Sequence, residues 1–440
     1  MKKKLDEPQE FANDLIDFIS YSPSTFHTTR NIKAALLRKG FSELNLTDNW
    51  QIEKEGKYFV SQNESSLAAF IVGMGNPETN GFRIIAAHTD SPTIKIKPSP
   101  EILVANGYIK LNVEVYGGAI LNTWFDRPLS IAGRVAIKSK NPFKPEIRHF
   151  NAKRPLLTIP NLAIHFNRNV NEGVKINPQQ HLLPLIACIK SPLENSNYLI
   201  DIIASELNIS ADNILDFDLN LYDTEKGCLL GANNEFISSP KLDNLSMIHA
   251  GMESLFTSNN INATQMMVCF DNEEVGSRTR QGAASPFLKN VLERIIYKLN
   301  GDKEEYMRAI YNSFLISADP AHALHPNYPE MSCYTNHPII NKGPVIKYNA
   351  DQKYTTDAES AAVFAALAEI ANSPIQRFTN RSDLAGGSTL GSISNTQVDI
   401  KSVDVGTPIL AMHSIRELCG VYDHFNIKNI FKEFFTLGDF

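Results

Sequence analysis

Short, nearly continuous apolar runs constrain the fold of this chain more than any other feature. Runs of this kind, bounded by Gly or polar residues, are typical of strands that are buried on both faces of a sheet. Segments with the apolar spacing of helices alternate with them over much of the chain. The pattern predicts an α/β fold with strands at residues 67–72, 82–87, 266–270, 314–317 and 409–412 and helices at residues 245–256, 287–299 and 358–371.

A different pattern begins near Ile94. From there to roughly Gly231, apolar and polar residues alternate with a period of two, and Gly and Pro separate the alternating segments. This alternation predicts a β-rich region. A chain of 440 residues is also long for one compact domain. The sequence therefore predicts an α/β domain made of residues 1–93 and 236–440, interrupted by a β-rich domain of residues 94–235.

The composition excludes several classes of partner. The net charge is -6 and there is no long basic run, which disfavours binding to nucleic acid or to anionic membranes. The longest apolar stretches, such as the one beginning at Leu67, are far shorter than the ~20 residues of a membrane span. The start, MKKKLDEPQE, becomes acidic before any apolar segment and does not read as a secretory signal. The five cysteines are scattered, as expected for free thiols in a reducing compartment, so we expect a cytoplasmic protein.

Several of the apolar runs are followed immediately by a residue whose side chain can bind a metal ion. The carboxyl ends of parallel strands meet at one edge of a sheet, so we expect these side chains to converge there. Two imidazoles and several carboxylates suit Zn²⁺ or a similar divalent ion, and one carboxylate can bridge two ions. The candidates are His88, Asp90, Asp271, Glu273, Glu274, Asp319 and His413, together with Asp243 in a polar turn before a helix.

Each candidate alone has a simpler explanation. A single His after a strand is more often structural, an Asp before a helix is usually a cap, and adjacent glutamates in a loop are usually solvated. The repetition of the pattern at several strand ends favours the metal interpretation, because those ends lie at one face of a parallel sheet.

Six motifs carry a resemblance to a known family. They are HTDSP at 88–92, SPKLDN at 239–244, DNEEVGS at 271–277, SADPAHALHPN at 317–327, GPVIK at 343–347 and AMHSIRE at 411–417. In these motifs and in their order the chain resembles the aspartyl aminopeptidase family of two-metal zinc aminopeptidases. The resemblance implies a three-layer α/β/α zinc-peptidase catalytic domain, formed by residues 1–93 and 236–440, with residues 94–235 as an inserted β-rich dimerisation domain.

The resemblance also implies a role for each residue of the strand ends. The metal ligands would be Asp243 as the bridge, Glu274 and His413 in one site, and His88 and Asp319 in the other. Glu273 would be the general base, and Asp90 would hydrogen-bond His88 and fix its tautomer. Two divalent ions per chain are implied, with zinc as the first choice, although cobalt and manganese suit the same ligands.

Other matches to the family concern the substrate. His165 matches a position where the family sends a histidine into the neighbouring subunit's active site to stabilise an oxyanion; the alternative is a partly buried strand histidine. Lys347 resembles the basic residue that meets an acidic substrate side chain; the alternative is a solvated lysine. The Gly-rich loop 385–391 lacks the ending of a phosphate-binding loop. In the family this loop, here with Gly387 and Ser388, approaches the substrate through its backbone.

These features predict a metal-dependent aminopeptidase that removes the N-terminal residue of short peptides, with a preference for Asp or Glu implied by the resemblance. One alternative is a broad-specificity aminopeptidase for neutral residues. Another is a non-catalytic, self-assembling scaffold, which is disfavoured because the five ligand positions and Glu273 are all intact. The family forms dimers that assemble into a dodecamer, so the resemblance also implies a homo-oligomer.

Overall fold

A computed structural model describes residues 5–105, 107–189, 197–259 and 262–438 of the chain. The helices are α1 Glu7–Ser20, α2 Thr25–Arg38, α3 Pro77–Asn80, α4 Pro178–His181, α5 Tyr198–Leu207, α6 Leu242–Thr257, α7 Phe287–Lys298, α8 Lys303–Tyr311, α9 Ala358–Ile370, α10 Leu390–Ser394 and α11 Val421–Thr436. The strands are β1 Ser42–Leu44, β2 Lys57–Gln62, β3 Ser66–Ile71, β4 Phe82–His88, β5 Thr93–Val104, β6 Tyr108–Tyr116, β7 Leu129–Ile137, β8 Glu146–Asn151, β9 Leu185–Cys188, β10 Ile214–Asp223, β11 Cys228–Leu230, β12 Phe236–Ser239, β13 Thr264–Phe270, β14 Phe314–Ala318, β15 Ala321–His322, β16 Val345–Tyr348, β17 Gln376–Thr379, β18 Lys401–Gly406, β19 Pro408–Leu410 and β20 Glu417–Gly420. Within the described ranges, no helix combines the length and the apolar composition that crossing a membrane requires.

The largest sheet is mixed and carries helices on both faces. Its nine strands lie in the order β1-β2-β3-β13-β4-β14-β18-β16-β17. Successive residues of one strand enter two separate apolar cores, because side chains alternate across a sheet. Leu67 and Ala69 of β3 pack into the core that contains α1, α2 and α6. Ala68 and Phe70 pack into the core that contains α7 and α8. The result is a three-layer α/β/α arrangement, and the predicted fold class is confirmed.

The parallel strands at the centre of this sheet end at a common level. β4 lies between β13 and β14 and runs parallel to both. Phe270 of β13 is paired with His88, and Ser317 of β14 is paired with Ala86. The segments that follow these three strands therefore emerge side by side, as the strand-end pattern predicted.

A second sheet contains the alternating segments of the sequence. Its six strands are antiparallel in the order β8-β7-β10-β5-β6-β9, and they surround a core of their own that includes Phe150. β5 begins at Thr93, directly after the HTDSP motif, so this sheet departs from the edge of the main sheet that carries His88. β11 lies inside the predicted range 94–235 but pairs with β12 outside it. The ends of the predicted α/β domain, residues 1–4 and 439–440, lie outside the described residues.

A third, smaller sheet positions His413. It has five strands in the order β11-β12-β20-β19-β15, and His413 lies in the connection between β19 and β20. The run predicted as a strand at residues 409–412 forms the shorter strand β19, Pro408–Leu410. The strand stops there because Ala411 and His413 adopt φ values of 54° and 68°, in the left-handed region.

Candidate metal centre

His88 closes strand β4 and is almost fully buried, with 1% of its surface exposed. Its Nδ1 lies 3.1 Å from the backbone carbonyl oxygen of Asp90, a contact in which the ring nitrogen must donate. The other nitrogen, Nε2, is then left with a lone pair, and it lies 3.3 Å from Oδ1 of Asp243. His88 is therefore held in the tautomer that a metal ligand needs.

His413 faces the second oxygen of the same aspartate. Its Nε2 lies 3.3 Å from Oδ2 of Asp243 and 3.4 Å from Oε2 of Glu274. Its Nδ1 lies 3.2 Å from the backbone carbonyl oxygen of Gly118, which again reserves Nε2 as the lone-pair nitrogen. The two oxygens of Asp243 therefore each face a different histidine.

The spacing and the chemistry of this cluster fit divalent ions. Two ligands of one tetrahedral Zn²⁺, each roughly 2.0–2.2 Å from the ion, lie about 3.4 Å apart, which matches the nitrogen–oxygen distances of 3.3 and 3.4 Å above. One ligand atom from each of His88, Asp243 and Glu274 lies within 4.8 Å of the others. Oδ1 of Asp243 and Oε1 of Glu274 are buried without a hydrogen-bond donor among the described residues. Buried carboxylate oxygens of this kind are costly unless a cation meets them.

Asp319 and Lys347 form a buried ion pair beside the cluster. Lys347 is 2% exposed, and its Nζ lies 3.5 Å from Oδ1 of Asp319 and donates to the carbonyl oxygen of Pro320 at 3.3 Å. Burial raises the pKa of Asp319, Lys347 opposes that rise, and the charge of Asp243 adds to it. The structure therefore brings Asp319 to the cluster and places Lys347 against it, away from solvent.

Asp90 holds the turn that carries the two adjacent glutamates. Its Oδ1 accepts the backbone N–H of Glu273 and its Oδ2 accepts that of Glu274, both at 3.1 Å. Asn272 opens this turn with φ 61°. The turn directs Glu274 towards His413, whereas the Glu273 carboxylate takes part in no ion pair among the described residues. The neighbours in sequence thus have different environments.

Crowding of carboxylates in a buried space shifts their pKa values. Burial, with a further contribution from Asp319 and opposition from His88, raises the pKa of Glu273 to about 8. Burial and then Asp243 raise the pKa of Glu274 well above its ordinary value. Burial lowers the pKa of His88, but the carboxylates of Asp243 and Asp90 beside the ring, together with Glu273, exceed that effect and raise the pKa well above its usual range. These shifts share one cause, the negative charge gathered in a buried space, which bound cations would relieve.

Two residues that support the cluster were not predicted from the sequence. Glu417 accepts the backbone N–H of Asp243 at 3.0 Å and that of His413 at 2.7 Å, and so ties two candidate ligands together. Its place at the end of the AMHSIRE motif was a signal that could have identified it. Tyr116, from the second sheet, donates to Oδ2 of Asp90 at 2.7 Å. Nothing distinguishes it from the other residues of the alternating segment 108–116, so no comparable signal exists.

His165 lies away from the cluster of its own chain. It belongs to an exposed segment, residues 160–166, in which Leu162 and Phe166 are 61% and 81% exposed. No hydrogen bond or ion pair among the described residues joins His165 to the metal-site residues. The alternative explanation for His165, a partly buried strand histidine, is wrong, because this segment is an exposed loop.

Gly387 and Ser388 lie at the exposed centre of the Gly-rich loop. Lys353 donates from Nζ to the carbonyl oxygen of Gly386 at 2.7 Å. On the other side of the pair, Thr389 donates to Oδ1 of Asp404 at 2.6 Å. The loop is therefore anchored on both sides while its central backbone stays accessible.

Comparison with known sequences points to one peptidase family. The family model described as "Aminopeptidase I zinc metalloprotease (M18)" matches residues 18–435. A protein named probable M18 family aminopeptidase 2 from Clostridium acetobutylicum is 55% identical over 428 residues, which cover 97% of this chain and 99% of the relative. A protein of the same name from Pseudomonas aeruginosa PAO1 is 42% identical over 433 residues, which cover 98% of this chain and 99% of the relative.

Solved structures agree with the sequence comparison. A chain in the cryo-EM structure of the Ape4 and Nbr1 complex superimposes with a TM-score of 0.94 at 36% identity, covering 99% of this chain and 87% of that one. The crystal structure of prApe1 gives a TM-score of 0.90 at 29% identity, covering 97% of this chain and 94% of that one. The S. cerevisiae mApe1 dodecamer gives 0.85 at 28% identity, covering 97% of this chain and 96% of that one.

Proposed function

Because the chain belongs to the M18 family and is a zinc-dependent aminopeptidase, we propose that it binds two ions at Asp243 and cleaves the first peptide bond of short peptides with an acidic N-terminal residue. The observation that carries the two-ion proposal is the position of Asp243, whose two oxygens each lie 3.3 Å from a different histidine. A carboxylate in this position can share one oxygen with each of two ions.

The five ligands divide around this bridge. Glu274 and His413 would complete one site, since their ligand atoms lie 3.4 Å apart. His88 and Asp319 would complete the other. When bound, the ions would polarise the scissile carbonyl and lower the pKa of a shared water molecule.

Glu273 is the proposed general base. Its carboxylate makes no ion pair among the described residues, and Asp90 fixes its backbone at 3.1 Å. It takes the proton of the attacking water and gives it to the departing amine, a role for a carboxylate that is not itself a ligand. Asp90 itself acts on the orientation of His88, in keeping with the contact to that ring.

The preference for Asp or Glu rests on Lys347, a buried cation beside the cluster. One observation favours the second candidate, a broad-specificity enzyme for neutral residues: the Lys347 charge already faces Asp319 at 3.5 Å. The backbone of Gly387 and Ser388 would hold the substrate in either case.

Assembly would complete the site. The S. cerevisiae mApe1 relative is a dodecamer, and we infer the same for this chain, with residues 94–235 as the dimerisation domain. The exposed apolar side chains beside His165 suit a subunit contact, through which His165 would reach a neighbour's cluster and stabilise the oxyanion. The five free cysteines suit the reducing cytoplasm.

One preparation tests these proposals together. Zinc per chain is measured by elemental analysis, molecular mass by analytical ultracentrifugation, and turnover on matched peptides that begin with Asp, Glu or Leu. We expect two zinc ions per chain, a dodecamer and faster cleavage after Asp and Glu. Equal rates on Leu and Asp would favour the broad-specificity enzyme, and one ion per chain would refute the bridging role of Asp243.

A further inference from the structure

Residues 116–118 run from the end of β6 across the metal centre. This segment, Tyr-Gly-Gly, belongs to the second sheet, yet each of its residues approaches a group of the main domain. Tyr116 contacts Asp90, Gly117 lies against Glu274, and Gly118 contacts His413. One short segment of the inserted sheet therefore touches both sides of the candidate centre.

The hydroxyl of Tyr116 lies in a chain of hydrogen bonds with a defined direction. Asn272 uses its side-chain oxygen to accept from Thr279 at 2.9 Å and from Gln281 at 2.8 Å. Its amide nitrogen is therefore the donor to Tyr116, at 2.8 Å. The Tyr116 hydroxyl must then donate onward to Asp90, at 2.7 Å. Asp90 in turn holds the backbone of both glutamates.

The two glycines allow a close approach on the opposite side. A Cβ at Gly117, where φ is 72°, would lie 3.1 Å from Cβ of Glu274. A Cβ at Gly118 would lie 3.3 Å from Nδ1 of His413. Larger residues would push against two candidate ligands, and the carbonyl of Gly118 would lose its position against the histidine ring.

We propose that the 116–118 segment is a positioning element, through which the inserted sheet holds the metal ligands in place. Tyr116 acts through Asp90 on His88 and on the turn of Glu273 and Glu274, and the Gly118 carbonyl acts on His413. This inference rests on the proposed function, because it needs metal at the cluster. Partners of metal ligands typically contribute ~10–100-fold to metal affinity or activity.

Tyr116→Phe tests the inference, with Tyr222→Phe as the matched control. The Tyr222 hydroxyl belongs to the same sheet but donates to Asn151, at 2.7 Å. Zinc affinity is measured by competition with a chromogenic chelator, melting temperature on metal-free protein, and kcat and KM on the preferred peptide. For Tyr116→Phe we expect ~10-fold weaker zinc binding and ~10-fold lower kcat, with KM little changed. Tyr222→Phe should match the wild type in zinc binding and in kcat.

A merely structural role would lower the metal-free melting temperature and leave zinc affinity unchanged, and that result would overturn the inference. Equal losses of zinc affinity in both tyrosine variants would overturn it as well. If the wild type itself binds no zinc, the proposed function fails instead, so the two failures are distinct.

The glycine on the other side supplies a second, independent variant. Gly118→Ala should lower the zinc affinity of the site that contains His413 and leave the affinity of the other site unchanged. Chelator competition should then show one weakened site of two. Its control is Gly107→Ala, where a Cβ would meet only the carbonyl oxygen of Ala105, at 3.8 Å. Two unchanged sites in Gly118→Ala would refute the role of the Gly118 carbonyl.

Discussion

Two pairs of histidines in this chain differ in what surrounds them. His88 and His413 each lie 3.3 Å from an oxygen of Asp243. His249 of α6 and His424 of α11 lie against one another, with Nδ1 of the first 3.0 Å from Nε2 of the second. Both of their rings pack on Phe11, with ring centres 4.7 and 4.8 Å apart.

The pKa values of the two pairs move in opposite directions. Burial acts against the charged form in all four rings. At His88 and His413 burial opposes the charged form, but the contacts to Asp243 and to other carboxylates together exceed it and raise the pKa. At His249 burial lowers the pKa to about 3. At His424 burial and then the neighbouring His249 lower the pKa well below its usual range. The carboxylates at the strand ends, and not burial, therefore distinguish the candidate metal histidines.

Asp243→Ala should have the largest effect on metal binding and on activity. It removes the carboxylate that both metal-site histidines face, so both ions lose a ligand. We expect zinc per chain to fall far below two and activity to drop by at least the ~10²–10⁴-fold typical for loss of a general base. Elemental analysis and peptide turnover measure this. Asp218→Ala, on the second sheet, is the control, and full zinc loading in Asp243→Ala would contradict the bridge.

The adjacent glutamates allow a sharper test. Glu273→Gln should retain zinc and lose ~10²–10⁴-fold in kcat, because it removes the proton acceptor but no ligand. Glu274→Gln should lose zinc from one site, because Glu274 is the member of this pair that faces His413, at 3.4 Å. Metal analysis of the two variants side by side separates base from ligand. A Glu273→Gln enzyme within a few-fold of the wild type would rule out the base assignment.

The sequence predicted the parts of this site that repeat a simple pattern. The helix expected at 287–299 is Phe287–Lys298, and the strand expected at 266–270 is Thr264–Phe270. Continuous apolar runs report burial on both faces, and parallel pairing then brings their ends together. Parallel pairing accounts for His88, which ends β4, and for Glu274, which follows β13. Asp243 lies in the first turn of α6 and His413 lies between two strands of the third sheet, so parallel pairing in the main sheet does not account for them.

The remaining parts depend on contacts that leave no local pattern. β15 and β19 contain two and three residues, too few to show a period, so the third sheet was not anticipated. Tyr116 belongs to an alternating strand whose partner across the domain boundary is set by tertiary packing. Lys347 lies near the end of β16, where a solvated lysine is the ordinary expectation, yet it is 2% exposed and faces Asp319.

The buried pair His249 and His424, which has no carboxylate of the described residues against its rings, should make the protein less stable in acid. A histidine of the unfolded chain takes up a proton near pH 6.5, whereas burial lowers the pKa of His249 in the folded protein to about 3. Between these values the unfolded state binds more protons, so the free energy of unfolding falls as the pH is lowered. Each histidine held neutral costs ~1.4 kcal/mol per pH unit, or about 2 kcal/mol at pH 5. Urea unfolding of metal-free protein at pH 5 to 8 measures this slope.

A double variant isolates the contribution of this pair. His249→Leu with His424→Leu removes both partners of the hydrogen bond at once, a change that need not leave an unsatisfied group. Its unfolding free energy should fall less steeply below pH 6.5 than that of the wild type. Lys428, which lies over the Phe11 ring at 5.2 Å, stays in place in both proteins. Identical slopes would show that the histidine pair contributes nothing to acid sensitivity.

In a third pair, His27 and His149, only His149 faces a carboxylate within the described part of the chain, and loss of that carboxylate should give the smallest effect. Its ring centres lie 5.4 Å apart, and Nε2 of His149 lies 3.6 Å from Oε2 of the partly exposed Glu64. Burial lowers the pKa of His149, and Glu64 offsets part of that shift. Glu64→Gln should therefore lower the pKa of His149 further. At acidic pH it should also lower the free energy of unfolding by ~0.2–1 kcal/mol, the contribution typical of an exposed ion pair. An NMR titration of the His149 ring measures it, with Glu146→Gln as the control because Glu146 pairs with Arg148. A rise in the pKa of His149 in this variant would show that the Glu64 carboxylate does not raise the pKa of its neighbouring histidine, as Asp243 does in the interior.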